Sequence, residues 1–204
     1  MPQVPLPTQR HLFFALYGKR NSGGQIPRTR YSSPMLGSGA KVRVRGGKSA
    51  DAKTLARIFR ESWQFAYQGI LPHAHLETLA KQRTPEWWRR FIKNEEDGLV
   101  VLELDGTVAG YATFGVARQQ GTHQGEIYEL YLDPIYQGLG LGEHLFEGCR
   151  NRMDERGLDG LVVWALLENT TACDFYWRRG GRPIRSSMTR IGGKRLEKVA
   201  FAWR

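Results

Sequence analysis

The sequence has few cysteines and no long hydrophobic run. Cys149 and Cys173 are the only cysteines among 204 residues, which excludes a disulfide framework and favours a reducing, cytoplasmic compartment. The longest apolar candidate, residues 12–17, is far shorter than the roughly 18 residues that a membrane-spanning helix needs. The histidines lack the spacing of zinc ligands, so no metal cofactor is expected. The four histidines beyond the first forty positions are His73, His75, His123 and His144.

Acidic residues are absent from the first forty positions, which hold five of the 30 basic side chains. The formal net charge of +10 raises nucleic acid, a membrane surface or an acidic small molecule as partners. Residues 41–204 carry 25 basic and 20 acidic side chains, an ordinary balance that disfavours nucleic acid and gives no reason to expect a membrane. Residues 1–40 fit a disordered basic tail, a transit peptide, or sequence upstream of a true start at Met35. Their prolines and glycines disfavour the amphipathic helix of a transit peptide.

Residues 41–204 are enough for a single domain with a sizeable core. Apolar periodicity predicts helices at 50–68 (capped by Ser49), 72–80, from Pro85 onward, 141–156 and 169–179. It predicts strands at 42–45, 98–104, 107–117, 126–133 and 161–167, with two more around Gly192-Gly193. Asp105-Gly106 between apolar runs is typical of a β-hairpin.

This order, β-α-α-α-β-β-β-α-β-α-β-β, indicates one layered α/β (α+β) domain with a mixed sheet of about seven strands. Helices should cover both faces of that sheet. The strands at 126–133 and 161–167 are joined through a helix, so we expect them to be parallel.

Three alternate glycines stand out in "LDPIYQGLGLGEHLFEGC", residues 132–149. Glycines between a strand and a helix N-terminus free several backbone N–H groups to face one point, and the helix dipole favours phosphate there. The dinucleotide pattern G-x-G-x-x-G fails, because Glu143 occupies its third glycine position, and the Gly-Lys-Ser/Thr of a Walker loop is absent. The run predicts either a site for another phosphate ligand or a tight strand-to-helix turn.

Starting at Gln137, the run is Q-x-x-G-x-G, which resembles the acetyl-CoA-binding motif of the GCN5-related N-acetyltransferase (GNAT) superfamily. A second stretch, from Asn169 to Gly180, is similar to that superfamily's N-x-x-A-x-x-F-Y-x-x-x-G helix. "ESWQFAYQGILP", residues 61–72, resembles the first helices of a bacterial subgroup. The resemblance covers residues 41–204 and implies the GNAT fold with its mostly antiparallel sheet. One departure is Gly181, where the family usually has Phe.

The resemblance implies acetyl-CoA as co-substrate. The backbone from Gln137 to Gly142 would hold the pyrophosphate, and the strand 126–133 would diverge from the strand 161–167. The pantetheine would then pair with strand backbone like an added strand. Asn169 is either a helix N-cap or an additional pantetheine contact. The expected cofactor-binding residues are Leu130, Tyr131, Leu132, Gln137, Gly138, Leu139, Gly140, Leu141, Gly142 and Asn169.

Acyl transfer to an amine needs a proton acceptor, because an alkylammonium has a pKa near ~10.4. Glu126 lies eleven residues before Gln137, where the histone-acetylating branch of the family has its catalytic glutamate, and is the first candidate. Glu129 is the second, and a side-chain period of two places the pair on opposite faces of the strand. Both could instead be structural, with water taking the proton. Tyr176 occupies the position of the family tyrosine that protonates the departing thiolate.

Trp63 and Tyr67 are four residues apart and share a helix face, so the resemblance suggests that they line the amine pocket; core packing is the alternative. The leading hypothesis is an acetyl-CoA-dependent N-acetyltransferase acting on a primary amine of a small molecule or protein. One alternative is a GNAT-fold module that binds acyl-CoA without transfer. Another is an acetyltransferase that uses the basic tail to bind tRNA or another nucleic acid. Family members often form homodimers.

Overall fold

The computed structural model describes residues 39–94, 96–119 and 121–204. The three interpretations of residues 1–40 therefore concern a segment that lies almost wholly outside the described residues. Within the described ranges, no helix is both long and apolar enough to cross a membrane. The compartment remains a prediction.

Seven strands and five α-helices follow one another in the predicted order. The strands are β1 (Val42–Gly46), β2 (Gly98–Leu104), β3 (Thr107–Val116), β4 (Gly125–Leu132), β5 (Leu161–Leu166), β6 (Arg182–Ile191) and β7 (Lys194–Trp203). The helices are α1 (Ala52–Tyr67), α2 (His73–Gln82), α3 (Pro85–Lys93), α4 (Leu141–Glu155) and α5 (Thr170–Arg178).

Local signals set most of these boundaries. Thr84 caps α3 by accepting the N–H of Trp87 at 3.1 Å, with Pro85 at the first helical position. The β2–β3 hairpin turns through Asp105-Gly106, both at positive φ.

The predicted cap at Ser49 is wrong. Ser49–Asp51 forms a short 3-10 turn before α1 begins at Ala52. The carboxylate of Asp51 organises that turn, since it accepts the N–H of Lys48 at 2.7 Å and pairs with Arg45 at 2.8 Å.

The sheet has the order β1-β2-β3-β4-β5-β7-β6. Every neighbouring pair in it is antiparallel except β4 and β5, which are parallel as predicted. The fold is thus the mixed, mostly antiparallel sheet with helices on both faces that the sequence predicted.

Helices α4 and α5 pack on one face of the sheet, where Phe146, Ile127, Val163 and Phe201 share a buried cluster. We call this the cofactor face, because the glycine-rich turn leads into α4. Helices α1 and α3 pack on the opposite face, over the β1–β3 half of the sheet. Helix α2 and the preceding Leu71 cover a third, smaller cluster at the end of β5 and β7 on that second face.

The glycine at position 181, where the family usually has Phe, leaves no gap in the packing. A Cβ at Gly181 would lie only 2.5 Å from the indole of Trp203 at the end of β7. The indole Nε1 of Trp203 donates to the carbonyl oxygen of Arg179 at 2.9 Å. Trp203 therefore fills the space beside Gly181 from the neighbouring strand.

Candidate active site

A cleft opens between β4 and β5. The two strands pair only at residues 125–127 of β4, whereas β4 continues to pair with β3 as far as Leu132. Asp133 donates its N–H to the carbonyl oxygen of Ala109 on β3 at 2.9 Å. Alternate residues of an antiparallel strand direct their backbone groups to the same neighbour. The N–H and C=O groups of Leu130 and Leu132 therefore face the cleft.

The far end of β4 is anchored by side chains. The carbonyl oxygen of Leu132 accepts hydrogen bonds from Ser62 Oγ at 2.8 Å and from Gln137 Nε2 at 3.2 Å. Asp133, 1% exposed, pairs with Arg57 at 2.7 Å. The side chain of Gln137 thus fixes the glycine-rich turn to the strand end, and it leaves the Leu132 N–H directed into the cleft.

The three glycines of this turn have different roles. Gly138 and Gly140 both have φ of +79°, a left-handed conformation that side chains rarely adopt, and Gly140 is the N-cap of α4. Gly142 is needed for packing, since a Cβ there would lie 3.1 Å from the ring of Phe175. Among the described residues, the amides of 138–142 donate no hydrogen bond, so they and the positive end of the helix dipole can meet an anion together.

Glu126 lies at the closed end of the cleft and is held by Arg118. Its carboxylate is 1% exposed. One oxygen accepts the backbone N–H of Arg118 at 2.9 Å, and the other accepts Nε at 3.1 Å and Nη2 at 2.5 Å. Both oxygens of Glu126 are therefore already engaged by one basic residue.

Glu129 lies in the open part of β4. Arg83, at the end of α2, donates to one carboxylate oxygen at 2.8 Å, and the hydroxyl of Tyr111 donates to the other at 3.0 Å. Burial raises the pKa of Glu129, and the nearby Arg83 and Tyr111 offset only part of that rise. Glu129 is therefore a stronger base than an ordinary surface glutamate.

The expectation that Glu126 and Glu129 lie on opposite faces of the strand is wrong. Glu126 is opposite Gly115 and Glu129 is opposite Thr113, two residues apart on β3, so both carboxylates share one face. A β-bulge causes this, because Tyr128 is inserted between the paired residues and shifts the alternation by one position. Both carboxylates lie on the face opposite the cofactor face.

Tyr176 of α5 lies on the cofactor face, packed among the rings of Phe146, Phe201 and Trp203. It is 6% exposed, and no hydrogen-bond partner of its hydroxyl is found within the described ranges. Burial raises the pKa of this phenol, and Tyr67 across the cleft adds to the rise. The phenol therefore keeps its proton at neutral pH.

Asn169 and α1 complete the walls of the cleft. Asn169 Oδ1 accepts the N–H of Ala172 at 3.1 Å, which confirms its N-cap role. The rings of Trp63 and Tyr67 lie 4.7 Å apart, and the hydroxyl of Tyr67 lies 3.2 Å from that of Tyr131 on β4. Trp63 and Tyr67 also contact the apolar clusters under α1 and α2, so they serve the core as well as the wall.

Both cysteines lie in the core of the cofactor face. Cys149 and Cys173 are buried, and the thiol of Cys173 donates to the carbonyl oxygen of Leu166 at 3.6 Å. In the described part of the chain, no group of three or more His, Cys, Asp or Glu side chains could hold a metal ion.

Comparison with known proteins identifies the family. Residues 54–180 match the family model described as the acetyltransferase (GNAT) family. The chain belongs to the GNAT family. Together with the N-acetyltransferase names of its relatives, this makes it an N-acetyltransferase, as the two sequence motifs predicted.

Two relatives and one solved structure show the extent of the likeness. This acetyltransferase is 29% identical to the uncharacterized N-acetyltransferase YuaI of Bacillus subtilis, over 79% of this chain and 92% of that protein. It is 24% identical to a spermidine N(1)-acetyltransferase of Thermoplasma acidophilum, over 68% of this chain and 87% of that protein. A crystal structure of the PaiA N-acetyltransferase of T. acidophilum in complex with coenzyme A has a TM-score of 0.64 at 20% identity. It covers 78% of this chain and 98% of that one, and it confirms the fold.

Four side chains that shape the cleft of this acetyltransferase belong to neither of its sequence motifs. Arg83 and Arg118 lie in connecting segments and carry no local signal of their role. Tyr111 stands within an apolar strand, where a tyrosine looks like a core residue. Ser62 gave a usable signal, because a hydroxyl on the buried face of α1 needs a hydrogen-bond partner.

Proposed function

We propose that this chain transfers the acetyl group of acetyl-CoA directly to a primary amine. The observation that carries the proposal is the combination of a glycine-rich helix N-terminus with an adjoining strand whose backbone groups face an open cleft. Acetyl-CoA has a matching pair of features, an anionic pyrophosphate and an extended pantetheine arm with two amides. The coenzyme A complex of the related fold supports the same assignment.

Each part of the cofactor has a candidate partner in this chain. The amides of 138–142 bind the pyrophosphate at the positive end of α4. Leu130 and Leu132 pair with the pantetheine amides as if it were an added strand. The Leu132 N–H also lies where it can stabilise the oxyanion that forms on the thioester carbonyl. The described residues offer no metal cluster, and this chemistry does not require one.

Glu129 is the proton acceptor that the geometry supports best. In the reaction, the amine nitrogen attacks the thioester carbon, the C–S bond breaks, and an amide and coenzyme A result. Glu129 takes the proton that the ammonium loses before attack, and water takes the second proton that the nitrogen loses as the amide forms. Tyr176 gives a proton to the departing thiolate and is reprotonated from water. Glu126 remains the alternative base, but it lies at the closed end of the cleft with both oxygens held by Arg118. Glu129 lies in the open part, where burial raises its pKa.

The acceptor enters from the face that carries both carboxylates, beside Trp63 and Tyr67. Small-molecule amines and protein amines both remain candidates. The spermidine acetyltransferase of T. acidophilum and the mycothiol acetyltransferase of Paenarthrobacter aurescens, 27% identical over 55% of this chain, are relatives with different named acceptors. Their names therefore do not select one acceptor for this chain.

Calorimetric titration of acetyl-CoA into the full chain tests the cofactor assignment. Gly138→Glu should abolish binding, because a carboxylate in the turn repels the pyrophosphate. Gly193→Glu is the matched control, since Gly193 has φ of +80°, also has open space at its Cβ, and lies at the β6–β7 turn away from the cleft. Both variants should lose similar stability.

Three results would change the proposal. Failure of the wild type to bind acetyl-CoA would contradict it. Equal loss of binding in the two variants would show that backbone strain, and not the anion site, explains the effect. Tight binding without release of coenzyme A in the presence of any amine would indicate the non-catalytic module.

A further inference from the structure

We call the sheet face that carries Glu126 and Glu129 the acceptor face. Within the described residues, part of this face is not covered by any helix. Helices α1 and α3 lie over its β1–β3 half, and α2 lies over the ends of β5 and β7. Between them, Trp164 of β5 and Lys198 of β7 are only half-buried. Sheet register places Arg185 of β6 in one lateral row with Ala200 and Trp164, on the same face as Lys198.

Three cations converge on this open area. The ammonium of Lys198 lies 4.3 Å from the ring centroid of Trp164, and the guanidinium of Arg118 lies 4.5 Å from that of Tyr128. Arg185 reaches across from β6 to the loop after β3, where its Nη1 lies 3.5 Å from Gln119 Oε1.

The positive charge of this area is not balanced. Arg118 pairs with Glu126, but in the described part of the chain neither Lys198 nor Arg185 forms an ion pair. Burial lowers the pKa of Lys198, and the neighbouring Arg118 and Arg185 lower it further, while Glu126 opposes the change. Sheet register places Lys198 near Arg185, since Lys198 and Ala200, the partner of Arg185, lie two residues apart on one face of β7.

We infer that the amine acceptor carries an anionic group, a carboxylate or a phosphate, which Lys198 and Arg185 bind while the amine lies at the cleft. This inference rests on the proposed function. An anion here gains charge-assisted hydrogen bonds from Lys198 and Arg185, which form no ion pair within the described residues. A polyamine would instead bring a second positive charge against them, which costs free energy. Arg118 belongs to this area and also pairs with Glu126 of β4, which favours an anion only a few bonds from the amine, as in a small molecule.

Four primary amines of similar length test this inference by the release of coenzyme A from the full chain. They are butylamine, 4-aminobutanoate, 3-aminopropyl phosphate and 1,4-diaminobutane. We expect kcat/KM for one or both anionic amines to exceed that for butylamine by at least about tenfold. The diamine should be the poorest acceptor. Whichever anionic amine is preferred identifies the group as carboxylate or phosphate.

Variants that lack one positive charge then show whether Lys198 and Arg185 cause the preference for an anionic amine. Lys198→Met keeps an apolar stem over Trp164 and removes the charge, and Arg185→Gln removes an exposed charge at little structural cost. Each should bring the ratio of anionic to neutral amine towards one. Arg190→Gln is the control, because Arg190 is exposed on the same strand but lies on the opposite face, and its ratio should not change.

The outcomes separate this inference from the proposed function. The inference would be overturned if the enzyme preferred butylamine or the diamine. It would also be overturned if neither Lys198→Met nor Arg185→Gln changed the ratio of anionic to neutral amine. Acetyl transfer itself would still stand in both cases. Acetyl-CoA binding without transfer to either anionic amine would also overturn the inference. Absence of acetyl-CoA binding would instead refute the proposed function. Acetyl-CoA titration of each variant shows whether it is folded.

Discussion

The two halves of β4 differ in how far their backbone groups are already paired. At residues 125–127 the strand is paired on both sides, and Glu126 is fully engaged by Arg118. From Tyr128 to Leu132 one edge of the strand faces the cleft, and Glu129 is buried with a raised pKa. The closed half fixes where the cleft begins, and the open half supplies groups that can act on a ligand.

The largest effect should come from exchanging the two carboxylates one at a time for amides. Glu129→Gln should lower kcat by about 10²–10⁴-fold, the usual contribution of a general base. Glu126→Gln should lower it by less than about tenfold, because its partner Arg118 is largely exposed and can turn to solvent. Steady-state kinetics with a saturating amine compares them. The reverse ranking would return the catalytic role to Glu126.

The pH profile sharpens the same comparison. A base acts only when ionised, so activity should be lost as pH falls through the pKa of Glu129. That pKa is raised by burial, and the acid limb should therefore bend above the value of about 4.3 for an ordinary glutamate. In Glu129→Gln the bend should vanish and the rate should follow the deprotonation of the free amine. An identical bend in that variant would exclude Glu129 as its source.

Tyr176→Phe tests the cofactor face of the cleft and should have an intermediate effect. The ring stays packed against Phe146 and Trp203, so stability should change little. Loss of the phenol proton should lower kcat about 100-fold, with acetyl-CoA affinity nearly unchanged. Calorimetry and single-turnover kinetics measure the two quantities. A kcat equal to that of the wild type would make Tyr176 a core residue alone.

The smallest effect concerns the end of the open region at Asn169. Asn169→Ala removes the cap of α5 and should cost about 1 kcal/mol, or roughly 2–4 °C in Tm. Asn169→Ser should restore the cap, since serine is also a good N-cap residue. If the serine variant recovers stability but binds acetyl-CoA more weakly than the wild type, Asn169 contacts pantetheine as well. Full recovery of both would leave only the cap.

Much of this architecture could be predicted from local sequence patterns. The Asp105-Gly106 turn, the Thr84-Pro85 start of α3 and the Asn169 cap each depend on the conformational preferences of one or two residues. The glycine-rich turn was predicted from its alternate glycines before a helix, and the structure adds that Gly138 and Gly140 have a left-handed backbone, which favours glycine. The prediction of a Ser49 cap was wrong because the carboxylate of Asp51 is a competing acceptor. Asp51 accepts the backbone N–H of Lys48 and is held in place by Arg45 of β1.

The sequence by itself determined the order of the elements, the glycine-rich turn and the family, since these follow from local periodicity and short motifs. Only the tertiary structure decided which groups meet in the cleft. The bulge at Tyr128, which brings Glu126 and Glu129 to one face, arises from pairing with β3. The partners Arg83 and Arg118 come from connecting segments, and chain folding alone brings them to these carboxylates.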